Sequence, residues 1–204
     1  IHGCLVGSEM CIRDRVYTAK MVADVDYLSG GRVDFGVGIG WLKEEFENLG
    51  MDFATRAART EEYILAMRAL WSEGISEFSG QTVSLQPCHF NPKPVQKPYP
   101  PIYFGGESDP ALRRVARLGD GWYGFDLDPE QLQEKLVSLD AALAATGRSR
   151  QDIDLIIGPN RHPANADTVA AYAAAGVDQL VVPVFAGNLD KLAARLDALM
   201  ALNA

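Results

Sequence analysis

The chain has 204 residues, 48% of them hydrophobic, which is enough apolar material for one compact core. Its 19 Lys and Arg against 27 Asp and Glu leave a formal charge of −8, which argues against nucleic-acid binding and against attraction to an anionic membrane surface. No apolar run approaches the roughly 18 residues of a membrane span, so the expectation is a cytoplasmic globular protein acting on a small molecule.

Cys4, Cys11 and Cys88 make no disulfide framework in a chain of this length, and Cys88 reads as a small buried hydrophobe. His2, His89 and His162 are scattered, and neither Cys-x-x-Cys nor His-Glu-x-x-His occurs, so no metal site is expected. Ile1–Arg15 has no clear period and lacks the apolar stretch of a signal peptide. Gly7–Arg15 resembles translated sequencing-adapter read-through. Residues 1–15 are therefore read as a non-native or disordered leader, with one domain over 16–204.

Beyond the leader the punctuation is regular. Tyr17–Leu28 has Met21, Val25 and Leu28 at helical spacing and stops at Ser29-Gly30-Gly31. Val33–Val37 is a short apolar strand. Arg56 and Arg59 can pair with Glu61 and Glu62 ahead of a helix over Thr60–Trp71, which carries Ile64, Met67 and Trp71 on one face. Phe78–Gln86 alternates like a strand. Pro87–Pro101 holds six of the eleven prolines and must run extended into a strand at Ile102–Phe104.

Gly105-Gly106 ends that strand, and Asp109-Pro110 reads as an N-cap with proline at the first helical position. That helix closes at Gly119, and Trp122–Phe125 is the next strand. Asp128-Pro129-Glu130 opens a helix with Leu132, Leu136, Leu139 and Leu143 on one side, ending at Gly147. Ile153–Ile157 is a strand, Thr168–Ala175 a helix closed by Gly176, and Leu180–Val184 the last strand. Asn188 caps a final helix bearing Leu192, Leu196 and Leu199.

These are five strand-then-helix units preceded by one helix, a pattern that makes a parallel sheet with right-handed crossovers. Length favours an open doubly wound sheet, and the orphan first helix favours part of an eightfold barrel. In both, ligands bind beyond the strands' carboxyl ends. Gly36-Val-Gly-Ile-Gly40 lacks the G-x-G-x-x-G spacing of a dinucleotide fingerprint. Gly105-Gly106 with Ser108 reads either as a plain turn or as a phosphate cradle, the latter opposed by Glu107 and Asp109. Trp41 and Trp122 lie near strand ends, where a flat ring could stack, or where they simply pack. Only His162, of the histidines, falls near a strand end, and no nucleophile arrangement is visible. No catalytic residue is assigned, which suits chemistry carried by an organic cofactor.

The run Asp26–Gly50 (DYLSGGRVDFGVGIGWLKEEFENLG) resembles the luciferase-like monooxygenase superfamily, and within it the coenzyme F-420-dependent oxidoreductase branch. Arg56-x-x-Arg59-x-x-Glu62-Tyr63, Pro92–Ile102, Phe104–Ser108 and Gly119–Trp122 carry the same resemblance. It implies an incomplete (β/α)8 TIM barrel: the carboxyl-terminal five units and the preceding helix, with the family's first three strands missing and Pro87–Pro101 as the tail of an insertion. The implied cofactor is F-420, a deazaflavin, with FMN as the alternative. Gly38, Gly40 and Trp41 would line the ring or its ribityl chain, and Gly105, Gly106 and Ser108 would hold the phosphate. The implied activity is hydride transfer to or from a small organic substrate. The alternatives are an FMN-dependent monooxygenase, and a non-catalytic fragment or flavodoxin-like binding module. The implied partners are a small-molecule substrate and, as an open alternative, a second copy in a homodimer.

Overall fold

A computed structural model describes residues 14–203, which divide into two compact units between Tyr103 and Phe104. Residues 1–13, with Cys4 and Cys11, lie outside the described residues, so of the expected leader only Asp14 and Arg15 are described. Asp14 is the N-cap of helix α1 (Arg15–Ser29), its carboxylate accepting from the amides of Val16 and Tyr17 at 2.8 and 3.2 Å. A carboxylate at that point meets orphan amides and the positive end of the helix dipole.

In the first unit α1 ends on Gly30, at φ +69°. Helix α3 (Arg56–Trp71) buries Ile64, Met67, Leu70 and Trp71 completely. The Trp71 indole N–H donates to the Ala19 carbonyl of α1 at 3.1 Å, and its ring meets Phe35 edge-on at 6.0 Å. Phe35 opens the short strand β1 (Phe35–Val37), whose two flanking residues are buried. The fully buried Asp26 of α1 accepts from the amide of Gln96 at 3.0 Å and from its side chain at 2.8 Å. That side chain also reaches the Val33 carbonyl at 2.8 Å, so one glutamine ties the proline-rich stretch to α1 and to the approach of β1.

Two features of this unit depart from expectation. Helix α2 (Lys43–Asn48) fills the gap after β1, where the sequence shows no extended stripe; it is six residues long and buries only Phe46. The arginine–glutamate cluster does not form around Glu62. Arg56 donates to the Phe53 carbonyl and stacks 3.8 Å from the Phe53 ring, and the buried Arg59 donates to the Asp52 carbonyl and to Thr55 Oγ1. Glu62 turns to a hairpin, β2 (Ser76–Ser79) with β3 (Ser84–Cys88), and caps its turn. Its carboxylate accepts from the amides of Gln81, Thr82 and Val83 and from the Thr82 hydroxyl, all between 2.7 and 2.9 Å. Cys88 is half-buried rather than buried, because it sits in this edge hairpin with its thiol 3.7 Å from the Ser76 carbonyl.

Strand β4 (Ile102–Gly105) spans the division between the units. The second unit continues with α4 (Asp109–Leu118), β5 (Gly121–Phe125), α5 (Pro129–Ala144), β6 (Asp154–Gly158), α6 (Ala166–Ala174), β7 (Gln179–Leu180) and α7 (Leu189–Met200). β5 and β6 pair in parallel register from Gly121↔Asp154 to Phe125↔Gly158, and β6 pairs in parallel with β7. Leu132, Leu136, Leu139 and Leu143 of α5 are all buried, and Asp128 and Gln131 close a capping box at its start.

The end of the chain is less regular than its pattern. The last strand is two residues long, not Leu180–Val184; Val181 adds one more bond, to the Ile157 carbonyl at 2.9 Å. The apolar stripe of α7 is correspondingly uncovered, with Leu196 exposed and no residue of the helix buried. The five-stranded parallel sheet runs β1-β4-β5-β6-β7, in chain order. A doubly wound sheet reverses direction at a switch point, and this order does not. β1 and β7 each have one neighbour, so the arrangement is an incomplete, unclosed (β/α)8 barrel.

Candidate functional site

The expected ligand-binding residues fall on two turns, each at the carboxyl end of a strand. In the first unit Gly38-Ile39-Gly40-Trp41 follows β1. Gly40 has φ +78°, a conformation costly for other residues, but a Cβ on Gly38 would meet nothing within 4 Å. The backbone conformation therefore calls for glycine at Gly40, and nothing steric calls for it at Gly38. Trp41 is 80% exposed, a free indole face beside a glycine turn.

In the second unit Gly105-Gly106-Glu107-Ser108 joins β4 to α4. Gly106 has φ +105°, and a Cβ there would stand 3.0 Å from Ala111 Cβ. Ser108, not Asp109, is the N-cap of α4: its hydroxyl accepts from the Ala111 amide at 3.4 Å, and its extended backbone (φ −76°, ψ 151°) leaves Asp109 and Pro110 inside the helix. Leu112 donates to the Ser108 carbonyl at 2.9 Å and Pro110 has no N–H. Ser108 O–H can still donate, and the helix start presents the positive end of its dipole. Glu107 is committed elsewhere, its Oε1 accepting from the Phe125 amide at 2.9 Å.

Of the two parts open to Trp122 near its strand end, stacking and packing, the structure gives it packing. It is fully buried, and its indole N–H donates to the Gly106 carbonyl at 3.0 Å. No ligand ring can reach it; what it does is hold the glycine turn in place from beneath.

Asp126 and Arg161, to which sequence reasoning gave no part, lie with His162 just past β5 and β6. Asp126 has φ +57° and, one residue past the adjacent strand's loop start, Asn160 has φ +46°. Each polar group of Asp126 is used. Its N–H donates to the Gly158 carbonyl at 2.7 Å, and its carboxylate accepts from the Arg161 amide at 3.1 Å, from Nε at 2.6 Å and from Nη2. Its carbonyl accepts from His162 Nε2 at 3.2 Å. Hydrogen bonds from the Arg161 guanidinium, and then from the Arg161 amide, hold the Asp126 carboxyl below the usual carboxylate range. The available signal was the Asp and Asn themselves, residue types that tolerate the left-handed region, directly after two strands. Among the described residues no group of three or more His, Cys, Asp or Glu could hold a metal ion, and no helix is long and apolar enough to cross a membrane.

Residues 7–200 match the family model of the luciferase-like monooxygenases, so the chain belongs to that family. It is 31% identical over 188 residues to an uncharacterized protein of Mycobacterium tuberculosis, covering 92% of this chain and 65% of the relative. It is 31% identical over 134 residues to the FMNH2-dependent dimethylsulfone monooxygenase of Pseudomonas putida, covering 64% of this chain and 37% of that enzyme. The chain thus spans about two thirds or less of the length of these curated relatives. In fold it is similar to the monooxygenase RslO1 of Streptomyces bottropensis, with a TM-score of 0.75 and 20% identity, over 95% of this chain and 76% of that one. It is also similar to an F420-dependent secondary alcohol dehydrogenase in complex with an F420-acetone adduct, with a TM-score of 0.64 and 15% identity, over 93% and 67% of the two chains.

Proposed function

We propose that this chain is part of an oxidoreductase that uses coenzyme F-420, or alternatively FMN, to move hydride to or from a small organic substrate. The observation that carries the reading is the β4–α4 turn. Gly106 is a position where a side chain would be both strained and crowded, Ser108 offers a hydroxyl at a helix start, and the one acidic side chain before it is engaged with the Phe125 amide. These are the features a phosphate requires. In the reading Gly105, Gly106 and Ser108 hold that phosphate. Gly38, Gly40 and the exposed Trp41 line the ring or ribityl chain.

The bound ring would supply the hydride-accepting or hydride-donating carbon or nitrogen. This chain's residues do the rest: the buried Trp122 fixes the Gly106 carbonyl, Ser108 orients the start of α4, and Glu107 ties that turn to the end of β5. A monooxygenase on reduced FMN is the second reading, favoured by the similarity to the FMNH2-dependent enzyme. Titration of the protein with F-420 and with FMN, followed by tryptophan fluorescence, tests both. Saturable binding of F-420 in preference to FMN is the expected result; the reverse preference supports the second reading, and binding of neither overturns the proposal.

A further inference from the structure

The β4–α4 turn carries a charge that its structural bonds do not need. Glu107 stands between Gly106 and Ser108, half-buried, and its Oε1 accepts from the amide of Phe125, the last residue of β5, at 2.9 Å. The neighbouring Gly106 carbonyl accepts from the Trp122 indole at 3.0 Å, so two bonds fasten this turn to β5. The carboxylate is thereby held at the carboxyl ends of β4 and β5, on the face where this class of fold binds its ligands. Oε2, bonded to the same carbon as Oε1, is held with it and has no hydrogen-bond partner among the described residues. Neither oxygen has an ion-pair partner among them.

A glutamine would meet the Phe125 amide as well as a glutamate does, without setting a negative charge beside a phosphate. The tie to β5 therefore leaves the charge unexplained. A carboxylate can only accept, and a hydroxyl that donates to it makes a bond about twice as strong as one between neutral groups. A ligand with a hydroxyl close to its phosphate satisfies Oε2 and places a dipole between the two negative groups. A phosphate with no hydroxyl near it meets only repulsion there.

We propose that Glu107 recognises a hydroxylated chain, its Oε2 accepting from a hydroxyl of a phosphorylated polyol whose phosphate lies on Gly105, Gly106 and Ser108. The inference rests on the cofactor reading above, in which that polyol is the ribityl chain common to F-420 and FMN. Glu107 is then a specificity-determining residue. It selects a polyol phosphate over an alkyl phosphate and takes no part in the transfer of hydride.

The test crosses Glu107→Gln with removal of the ligand's hydroxyls, on the 204-residue protein. The ligands are FMN and its analogue with a plain pentyl chain between ring and phosphate, titrated by tryptophan and flavin fluorescence. Gln keeps an acceptor for the Phe125 amide, so the urea midpoint should stay at the wild-type value. Wild type should bind FMN about tenfold tighter than the analogue, and Glu107→Gln should bring the two within about twofold, the loss of one hydrogen bond to a charged group. The analogue should bind Glu107→Gln more tightly than wild type, since the repulsion is gone. An unchanged preference for FMN in Glu107→Gln overturns the proposal and, because both flavins bind, leaves the cofactor reading standing. An analogue that binds wild type as tightly as FMN does the same, and that result needs no folded variant. Binding of F-420 without binding of FMN also overturns it, because FMN presents the same phosphorylated polyol, while the F-420 reading survives. If neither cofactor binds, that reading falls and this one falls with it.

Discussion

Replacing Trp122 with Phe separates a packing role from a ligand-shaping one. The substitution removes a 3.0 Å hydrogen bond to the Gly106 carbonyl and several ring atoms from a side chain with no exposed surface. The lost bond, with its carbonyl left unmet, costs about 1–2 kcal/mol, and the missing apolar atoms about 1–2 more. A total of about 3 kcal/mol, with a urea m-value near 2 kcal/mol/M, lowers the unfolding midpoint by about 1.5 M. Because the freed carbonyl belongs to a glycine at φ +105°, the turn loses its orientation, and cofactor affinity should fall by about tenfold, one charged hydrogen bond. Trp71→Phe is the matched control: an equally buried indole with a 3.1 Å bond to Ala19, in the other unit. It should show a comparable midpoint shift with Kd unchanged. The assay is urea unfolding by circular dichroism beside cofactor titration in native buffer. A Trp122→Phe protein that is destabilised yet binds with wild-type affinity would refute the view that this turn cradles the ligand.

Trp41→Phe should remove most of the ligand-dependent fluorescence quenching and Trp71→Phe almost none, given exposures of 80% and 0%; quenching that survives Trp41→Phe sinks the ring-lining assignment. Ser108→Gly keeps an acceptable N-cap, at a cost of a few tenths of a kcal/mol, while deleting the hydroxyl, so thermal stability should barely move and cofactor affinity should drop by about tenfold or more. Equal affinity would leave Ser108 a helix cap and nothing else. Glu62→Gln should destabilise the first unit by about 1 kcal/mol at neutral pH. Partial desolvation pushes the Glu62 carboxyl up, but the bonds from Thr82, Gln81 and Val83 outweigh it and hold its pKa below the ordinary value. The stabilisation is therefore present above the unfolded-state pKa and lost as pH falls through the folded one. Urea midpoints of the two proteins should differ at pH 7 and converge as the pH falls through the lowered folded-state pKa of Glu62; a gap independent of pH would show the charge to be irrelevant.

Some of the architecture was written locally. The Gly30, Gly119 and Gly176 stops, the capping box at Asp128 and the leucine stripe of α5 are short-range instructions, and the helices formed where they indicated. The same holds for Ile64, Met67 and Trp71, whose spacing marks one face and whose burial follows. The alternation of strand and helix signals left an open sheet and a partial barrel both standing; the family resemblance implied the incomplete barrel, and the strand order agrees with it.

Other features depend on partners distant in the chain, and no period or cap encodes those. Glu62 had arginines within reach on its own helix, but amides about twenty residues away meet its carboxylate better. Trp122 and Trp41 look alike as residues near strand ends. One is buried under a glycine carbonyl sixteen residues earlier, and the other faces solvent. Asp126 and Arg161 are thirty-five positions apart and meet only because β5 and β6 pair in register. Chain order and residue type thus determined which elements form and which faces they bury, because those rest on contacts within a few residues. Which polar groups converge at the strand ends was decided by the parallel register of the sheet, which brings remote loops side by side.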